Sequence, residues 1–316
     1  MSVPRNVVHA GRDGFACLCE PACDQTVFGA APDPGGDDGW RLIHHYSNAI
    51  YVLPAADAIV RITVGSADLE QVRLTQTVTR WLARSCGYPA TAPLGAVEPV
   101  PLASGSVASF WEFHQQPAKL TYSSIDLASL LRRLHKIDGD TIPVPLPPWV
   151  PLTSLEGALT EYIPETVLTG DEIEWLKQEI IEVREQLASV EWHPSPGLVH
   201  GDAWAGNLLA DSRTGGLLLG DWDWVSNGPR EIDLVPTWHA ARRYGRDDAW
   251  TSAFAHEYGY NVADSPGYEA LMHMRDMMQL TGPLRRARTD QRYYTFLRQR
   301  VSSIRAGDRA SQWSTL

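Results

Sequence analysis

Three oxygen-bearing side chains near the middle of the chain have the types and spacing of a phosphoryl-transfer site. Asp202 and Asn207 lie in the segment LVHGDAWAGNLL, and Asp221 lies in LLLGDWDW, which follows it. Carboxylate and amide oxygens suit Mg²⁺, which takes few protein ligands and completes its shell with water and phosphate oxygens. If Asn207 and Asp221 hold the metal, Asp202 is left to orient a hydroxyl nucleophile. A base and two metal ligands suit phosphoryl transfer, because that reaction asks little covalent chemistry of the protein.

Two short apolar runs, 197–200 and 217–220, are the first elements that must position these side chains. The first ends one residue short of Asp202, and the second ends directly before Asp221. Such runs are typical of strands in a loop-rich region. Upstream, the chain is rich in β-branched and apolar residues separated by turn signals. The strands predicted there are Ile50–Leu53, Ile59–Val64, Val97–Val100 and Val107–Phe113.

Helix signals dominate the rest of the chain. Ser66 is a plausible N-cap for a helix over 69–82, and Gly87 ends that segment. Capping boxes begin at Ser123 and Thr169, and apolar residues at helical spacing follow each of them. The sequence therefore predicts an α+β protein, with a small β-rich lobe followed by a larger, mainly α-helical lobe.

The predicted boundaries follow changes in composition. Residues 1–39 contain GAAPDPGGDDG and show no sustained period, so we expect a loosely ordered extension there. The β-rich lobe is predicted over 40–113 and the α-rich lobe over 114–316. Clefts between lobes are favoured ligand sites.

Composition excludes several classes of protein. There are 27 Lys and Arg against 38 Asp and Glu, a net charge of −11, which argues against nucleic-acid binding. The 44% hydrophobic content can fill a substantial core. No run of about 18 apolar residues is present, and charged residues interrupt the first thirty positions, so we expect a cytoplasmic protein without a membrane partner. Nothing in the sequence indicates an oligomeric state.

The cysteines are too few for a disulfide scaffold. The chain has 4, and Cys17, Cys19 and Cys23 lie close together. Their spacing, without a partner histidine, is not that of a usual zinc site. Ordinary thiols are therefore the favoured interpretation, with metal binding as the alternative.

The motif His200-Gly201-Asp202-x4-Asn207, followed by Gly220-Asp221-Trp222, resembles the catalytic loop and metal-binding Asp of the aminoglycoside phosphotransferase family. These proteins are relatives of choline kinase with a protein-kinase-like bilobal fold. The resemblance extends from about Trp40 to the C-terminus, with further agreement at Asn48, His135 and Asp233.

The resemblance implies a role for each residue of the motif. Asp202 would be the catalytic base, Asn207 and Asp221 would bind Mg²⁺, and His200 would brace the loop. The implied protein is a kinase that uses ATP or GTP to phosphorylate a hydroxyl of a small molecule, such as an antibiotic, aminosugar or metabolite. The acidic chain gives only a weak preference for a cationic acceptor.

The nucleotide-binding residues depart from the family pattern. Arg61 stands where relatives place a strand cation, often Lys; the alternative is an outward-facing arginine. Its usual Glu partner on the next helix is missing, and Glu70 is a weak substitute. Ser47 lies in place of a Gly-rich loop, so it and the backbone would cover the phosphates. The main chain from Glu112 to His114 is the predicted hinge that binds the base.

The roles of one aromatic and one acidic residue next to the motif remain open. Trp204 either lines the acceptor site or packs in the core. Asp223 either binds the metal or supports the residues that do, or it caps a turn.

Two other functions of the whole protein also stay open. One is a catalytically impaired, kinase-like binding module, suggested by the missing helix Glu; the other is a metal-dependent hydrolase that uses Asp202, Asp221 and Asp223.

Overall fold

A computed structural model describes residues 40–45, 48–63, 68–103, 105–120 and 122–315. The predictions for residues 1–39, including the cysteine cluster Cys17, Cys19 and Cys23, and those for Ser47 and Ser66 lie outside the described residues. The described chain divides into two units. One contains residues 40–120 and 209–223, and the other contains 122–208 and 224–315. The lobe boundaries drawn from composition stay a prediction.

The first unit is built on a five-stranded antiparallel sheet in the order β1-β2-β3-β5-β4. One face of the sheet carries a small apolar core that includes Tyr51, Val60 and Phe110. Since side chains alternate along a strand, Arg61 lies on the face opposite Val60. The strands are β1 Arg41–His45, β2 Asn48–Leu53, β3 Ala58–Thr63, β4 Val100–Pro101 and β5 Val107–Glu112.

Helix α1, Leu69–Arg84, follows β3 and differs from the prediction at its start. Asp68 is its N-cap, and the Asp68 carboxylate accepts a hydrogen bond from Glu70 N at 2.9 Å. The predicted strand Val97–Val100 is also shorter than expected, since only Val100 and Pro101 pair with β5. Val97 N instead closes a turn onto Leu94 O. A turn that uses the Val97 N–H withdraws it from the sheet.

A two-stranded hairpin, β7 Leu208–Ala210 and β8 Leu217–Leu219, leads to Asp221. Leu219 is tied to the segment after α1, because Leu219 N donates to Pro89 O and Thr91 N donates to Leu219 O. These bonds fix the end of β8 within the first unit. The position of Asp221, two residues later, follows from them.

The second unit is mainly helical. Both predicted capping boxes are confirmed, at Ser123 before α2 and at Thr169 before α4. A short antiparallel pair, β6 Gly197–Val199 and β9 Ser226–Gly228, completes it. The helices are α2 Ser124–Leu134, α3 Thr153–Thr160, α4 Gly170–Ala188, α5 Glu231–Tyr244, α6 Asp248–Tyr258, α7 Tyr268–Met278, α8 Thr281–Ala287 and α9 Gln291–Arg305. Across the residues described, no helix has both the length and the apolar character needed to span a membrane.

Candidate active site

A buried carboxylate organises the loop that follows β6. Asp233, fully buried near the start of α5, accepts hydrogen bonds from His200 N at 2.7 Å and Gly201 N at 2.8 Å. Its Oδ2 also lies 3.0 Å from His135 Nε2. Gly201 has φ +86°, and a Cβ there would collide with the backbone of Trp224. Only glycine therefore fits this turn.

Asp202 is held by an arginine from α7. Arg275 Nη1 donates to Asp202 Oδ1 at 2.6 Å, and both side chains are largely buried. Asp202 N also donates to His200 Nδ1, at 3.3 Å, so His200 braces the backbone of the loop. Arg275 thus fixes the orientation of the Asp202 carboxylate through Oδ1.

Asn207 is fixed relative to Asp202 by a hydrogen bond within the loop. Its Nδ2 donates to Asp202 O at 2.9 Å, which fixes the orientation of the amide. Trp204 is half-buried, and its ring lies against Gly206 so closely that a Cβ at Gly206 would collide with it. Trp204 therefore covers the loop instead of packing in the core.

The sequence Asp221-Trp222-Asp223 is anchored through its central residue. Trp222 is buried, donates from Nε1 to Leu219 O at 2.8 Å, and packs edge-on against Tyr88. The two flanking carboxylates remain accessible, with 49% and 38% of their side chains exposed. Asp221 has φ +61°, a left-handed conformation that costs energy for a residue other than glycine. Strain of this kind is concentrated at functional sites.

Arg61 binds both of these carboxylates. It lies 3.0 Å from Asp221 Oδ1 and forms a closer pair with Asp223. Burial by itself lowers the pKa of Arg61, but the attraction of Asp223 and Asp221 outweighs burial and raises this pKa above its ordinary value. The guanidinium is thus inward-facing, not the outward-facing alternative. Glu70 is exposed and pairs with Arg73 at 2.5 Å, whereas Arg61 pairs with the two aspartates.

The donor set suits a hard divalent cation. Within the first unit, Asp221 and Asp223 offer carboxylate oxygens, and both already bind a cation, the guanidinium of Arg61. Among the residues that the structure covers, no three His, Cys, Asp or Glu side chains come together as a metal cage. Mg²⁺ does not need such a cage, because one or two carboxylates together with phosphate oxygens hold it.

The predicted hinge is braced by the β7–β8 hairpin. Glu112 pairs with Arg213, and His114 Nδ1 lies 3.2 Å from Asp211. Burial and the nearby Arg213 lower the pKa of His114 against the opposing effect of Asp211. Glu112 N and Phe113 N donate to other parts of the fold, Ala92 O and Asp57 O. These two N–H groups are therefore already used within the fold.

A cleft in the helical unit adjoins the Asp202 loop. Its empty space, solvent-open side included, is about 470 Å³, and its walls come from the loop and from α2, α5, α6 and α7. The lining residues include Trp204, Thr237, His239, Arg246, Trp250 and Arg275. Since Arg275 also binds Asp202, the cleft lies beside the candidate base.

The structure thus brings the predicted residues together in two groups. Arg61, Asp221 and Asp223 meet in the first unit, and Asp202, Asn207 and Trp204 meet in the second. Sequence reasoning missed Arg275, Asp211 and Arg213. A signal existed for the first of these, because Arg275 and Asp276 interrupt an otherwise methionine-rich helix, and buried charges are paired.

Comparison with known proteins gives the family. A model described as the phosphotransferase enzyme family (APH) matches residues 40–273. No curated protein matches the chain. Members of this family are phosphotransferases with hydroxyl acceptors.

Solved structures share the fold at low sequence identity. Amicoumacin kinase hAmiN, in complex with AMP-PNP, Ca²⁺ and Ami, is 14% identical with a TM-score of 0.64, covering 88% of this chain and 91% of that one. Aminoglycoside phosphotransferase APH(3'')-Id from Streptomyces rimosus is 18% identical with a TM-score of 0.54, covering 77% and 94%. A choline/ethanolamine kinase family protein from Mesorhizobium loti is 15% identical with a TM-score of 0.55, covering 89% and 92%.

These matches confirm the resemblance inferred from the motifs and the predicted α+β class with its small sheet lobe and larger helical lobe. The chain belongs to the phosphotransferase enzyme family and has a protein-kinase-like fold.

Proposed function

We propose that the protein is a small-molecule kinase that transfers the γ-phosphate of ATP or GTP to a hydroxyl group of its acceptor. The observation that carries this proposal is the loop over 200–207. In it, a buried arginine holds one oxygen of Asp202, and a hydrogen bond to Asp202 O fixes the amide of Asn207. These two bonds hold both side chains without help from a substrate, and preorganisation of this kind is what phosphoryl transfer asks of a protein.

Arg61, Asn207 and Asp221 would hold the triphosphate end of the nucleotide. Arg61 presents a planar fork that matches phosphate oxygens, and Asn207 and Asp221 would hold Mg²⁺. Bound there, Mg²⁺ would supply positive charge against the β- and γ-phosphates during transfer. Asp223 would keep Arg61 in place or share the metal. Ser47 and the main chain from Glu112 to His114 remain the proposed contacts for the phosphates and the base.

Asp202 would act on the acceptor. In this proposal its second oxygen accepts the hydroxyl proton while the hydroxyl oxygen forms a bond to the γ-phosphorus. The bond from that phosphorus to the β–γ bridging oxygen breaks, and the nucleoside diphosphate leaves. Arg275 keeps the carboxylate oriented throughout. The cytoplasm, where nucleoside triphosphates are plentiful, remains the expected compartment.

Calorimetry with ATP and GTP, each with Mg²⁺ and with a chelator, tests nucleotide binding first. We expect metal-dependent binding of at least one nucleotide. A panel of hydroxyl acceptors, assayed for nucleotide consumption, then tests transfer. Asp202→Asn should slow consumption about 10²–10⁴-fold. Glu172→Gln is the control, because it breaks another ion pair of the helical unit, between α4 and α9, in which the side chains of Glu172 and Arg298 are 7% and 34% exposed.

The two alternatives predict different results. A kinase-like binding module would bind nucleotide but consume none with any acceptor. A metal-dependent hydrolase would turn over its substrate without binding nucleotide. Either result would contradict the kinase proposal.

A further inference from the structure

We propose that Trp313, in the segment after α9, is a positioning residue for the candidate base Asp202. Its ring packs between two buried arginines that hold α7, and α7 carries Arg275, which holds the base. This inference rests on the proposed function, in which Asp202 accepts the proton of the acceptor hydroxyl. The match to the family model ends at residue 273, so Trp313 and Arg275 both lie beyond it.

Trp313 is buried with its ring against two guanidinium groups. It is 4% exposed, and its main-chain N donates to Arg243 O at 2.7 Å. The guanidinium carbons of Arg243 and Arg300 lie 4.4 and 5.5 Å from the centre of its ring. The attraction between a cation and an aromatic ring strengthens when water is excluded. Among the described residues none accepts a hydrogen bond from Trp313 Nε1, so the contact depends on the ring face.

Arg243 joins the segment that contains Trp313 to α7. Arg243 is buried on α5, and its Nε and Nη2 donate to the two carboxylate oxygens of Asp276 at 2.8 and 2.5 Å. Its Nη1 donates to Asp308 O at 2.9 Å and to Ser311 O at 3.0 Å. A bidentate pair of this kind fixes the direction of a carboxylate as well as its distance. Asp276 is therefore held in one orientation by an arginine that the residues around Trp313 hold in turn.

Arg300 holds the end of the same helix. It lies on α9, is 1% exposed, and donates from Nη1 to Gln279 O at 2.7 Å. Gln279 is the C-cap of α7, where main-chain carbonyls lack a partner within the helix. The two arginines therefore fix α7 at two points, through Asp276 and through its C-terminal end. Trp313 contacts both arginines.

The position of α7 decides where Arg275 lies. Arg275 directly precedes Asp276, and its Nη1 donates to Asp202 Oδ1 at 2.6 Å. Consecutive residues of a helix are turned by about 100° around its axis, so a rotation or shift that moves Asp276 moves Arg275 with it. A misplacement of about 1 Å can slow a reaction about 10²-fold. Trp313 would thus act on the base through α7 and Arg275, without contact with the substrate.

Amide hydrogen exchange, followed by mass spectrometry on the full chain without ligands, tests the first link. Trp313→Leu keeps apolar volume but removes the ring, and we expect exchange over residues 275–279 to become about tenfold faster or more. Trp313→Phe retains a ring and should keep exchange there slow. Arg309→Gln is the matched control, because it removes an exposed contact of the same segment with α7, to Glu269 at 2.7 Å, and it should leave exchange unchanged. Faster exchange confined to residues 306–315, or equal acceleration in Trp313→Phe, would overturn the inference.

A double-mutant cycle between Trp313→Leu and Asp202→Asn tests the link to the base, and it needs neither nucleotide nor acceptor. Loss of the Trp313 ring would already loosen Arg275 from Asp202, so the second substitution should have less to remove. We expect the folding equilibrium constant of the double variant to exceed the product of the two single effects by about tenfold or more. Asp202→Asn and Arg309→Gln should instead combine within about twofold. All proteins are measured in the same stabilising osmolyte, which keeps the double variant folded. Simple multiplication of the Trp313 and Asp202 effects would overturn the inference.

Phosphate transfer to an acceptor found in the panel gives the functional readout. Trp313→Leu should slow transfer about 10- to 100-fold at unchanged Mg-nucleotide affinity, and Trp313→Phe should restore the rate. Unchanged transfer, or nucleotide affinity lost in step with it, would contradict a positioning role. If transfer depends on Asp202 while the cycle is multiplicative, the kinase proposal stands and this inference falls. If the cycle shows coupling but Mg-nucleotide does not bind, Trp313 still holds Asp202 in place and the kinase proposal falls.

Discussion

The ion pair between Asp202 and Arg275 makes a quantitative prediction about stability. The two groups are 2.6 Å apart, and their side chains are 12% and 5% exposed. Removing one member of a buried pair leaves the other charged and poorly solvated, which costs about 3–5 kcal/mol. Asp202→Asn and Arg275→Met should each lower the free energy of unfolding by about that amount. The double variant leaves no buried charge, so it should recover at least about 2 kcal/mol relative to the sum of the single effects.

The assay is chemical denaturation of the wild type, both single variants and the double variant, followed by circular dichroism. The bidentate pair of Arg184 with Glu156 is the matched control, because its side chains are 27% and 49% exposed. A cycle on Arg184→Met and Glu156→Gln should give a coupling below about 1 kcal/mol. Additive effects at Asp202 and Arg275, or a coupling no larger than that of the surface pair, would refute the claim that a buried arginine holds the candidate base.

The other predictions concern phosphate binding, the metal ligands and pH. Arg61→Gln should weaken Mg-nucleotide binding about 10- to 100-fold in calorimetry, because it removes a charged hydrogen-bond donor, and unchanged affinity would make Arg61 structural. Asn207→Ala and Asp221→Asn should each abolish turnover, with little further loss in the double variant; the Asn substitution tolerates the left-handed backbone, where φ is +61°. In the folded protein, burial lowers the pKa of His239 from 6.5 to about 4. Between these two pH values the His239 ring binds a proton in the unfolded chain but not in the folded protein. The wild type should therefore lose about 2 kcal/mol of stability between pH 7 and about pH 5 that His239→Gln does not lose, and equal losses in denaturation experiments would contradict this reasoning.

Short-range patterns explain which parts of the fold were predictable. The capping boxes at Ser123 and Thr169 are local hydrogen-bond arrangements, and both were confirmed. The N-cap of α1 was placed at Ser66, but the described helix begins after Asp68, a residue that caps equally well. Several capping residues lie close together there, and tertiary contacts choose among them.

Long-range pairing explains what was missed. Arg275 is 73 residues from Asp202, and Arg213 is 101 residues from Glu112. No spacing rule links such positions, because the fold alone brings them together. The motif His200-Gly201-Asp202 is predictable for the opposite reason, since it is contiguous and its glycine is required by the turn at φ +86°.

The account's central claim is that Asp202 acts on the acceptor hydroxyl and not on the nucleotide. The most direct test is to measure Mg-nucleotide affinity and phosphate transfer on one preparation of Asp202→Asn, well below its melting temperature. Glu172→Gln, which breaks another ion pair of the helical unit, is measured beside it. A positioned base contributes about 10²–10⁴-fold to rate and little to nucleotide affinity. We therefore expect Asp202→Asn to bind Mg-nucleotide like the wild type and to transfer phosphate about 10²–10⁴-fold more slowly, while Glu172→Gln keeps both properties. A folded, nucleotide-binding Asp202→Asn enzyme with undiminished transfer would contradict the assignment of the base and the mechanism built on it.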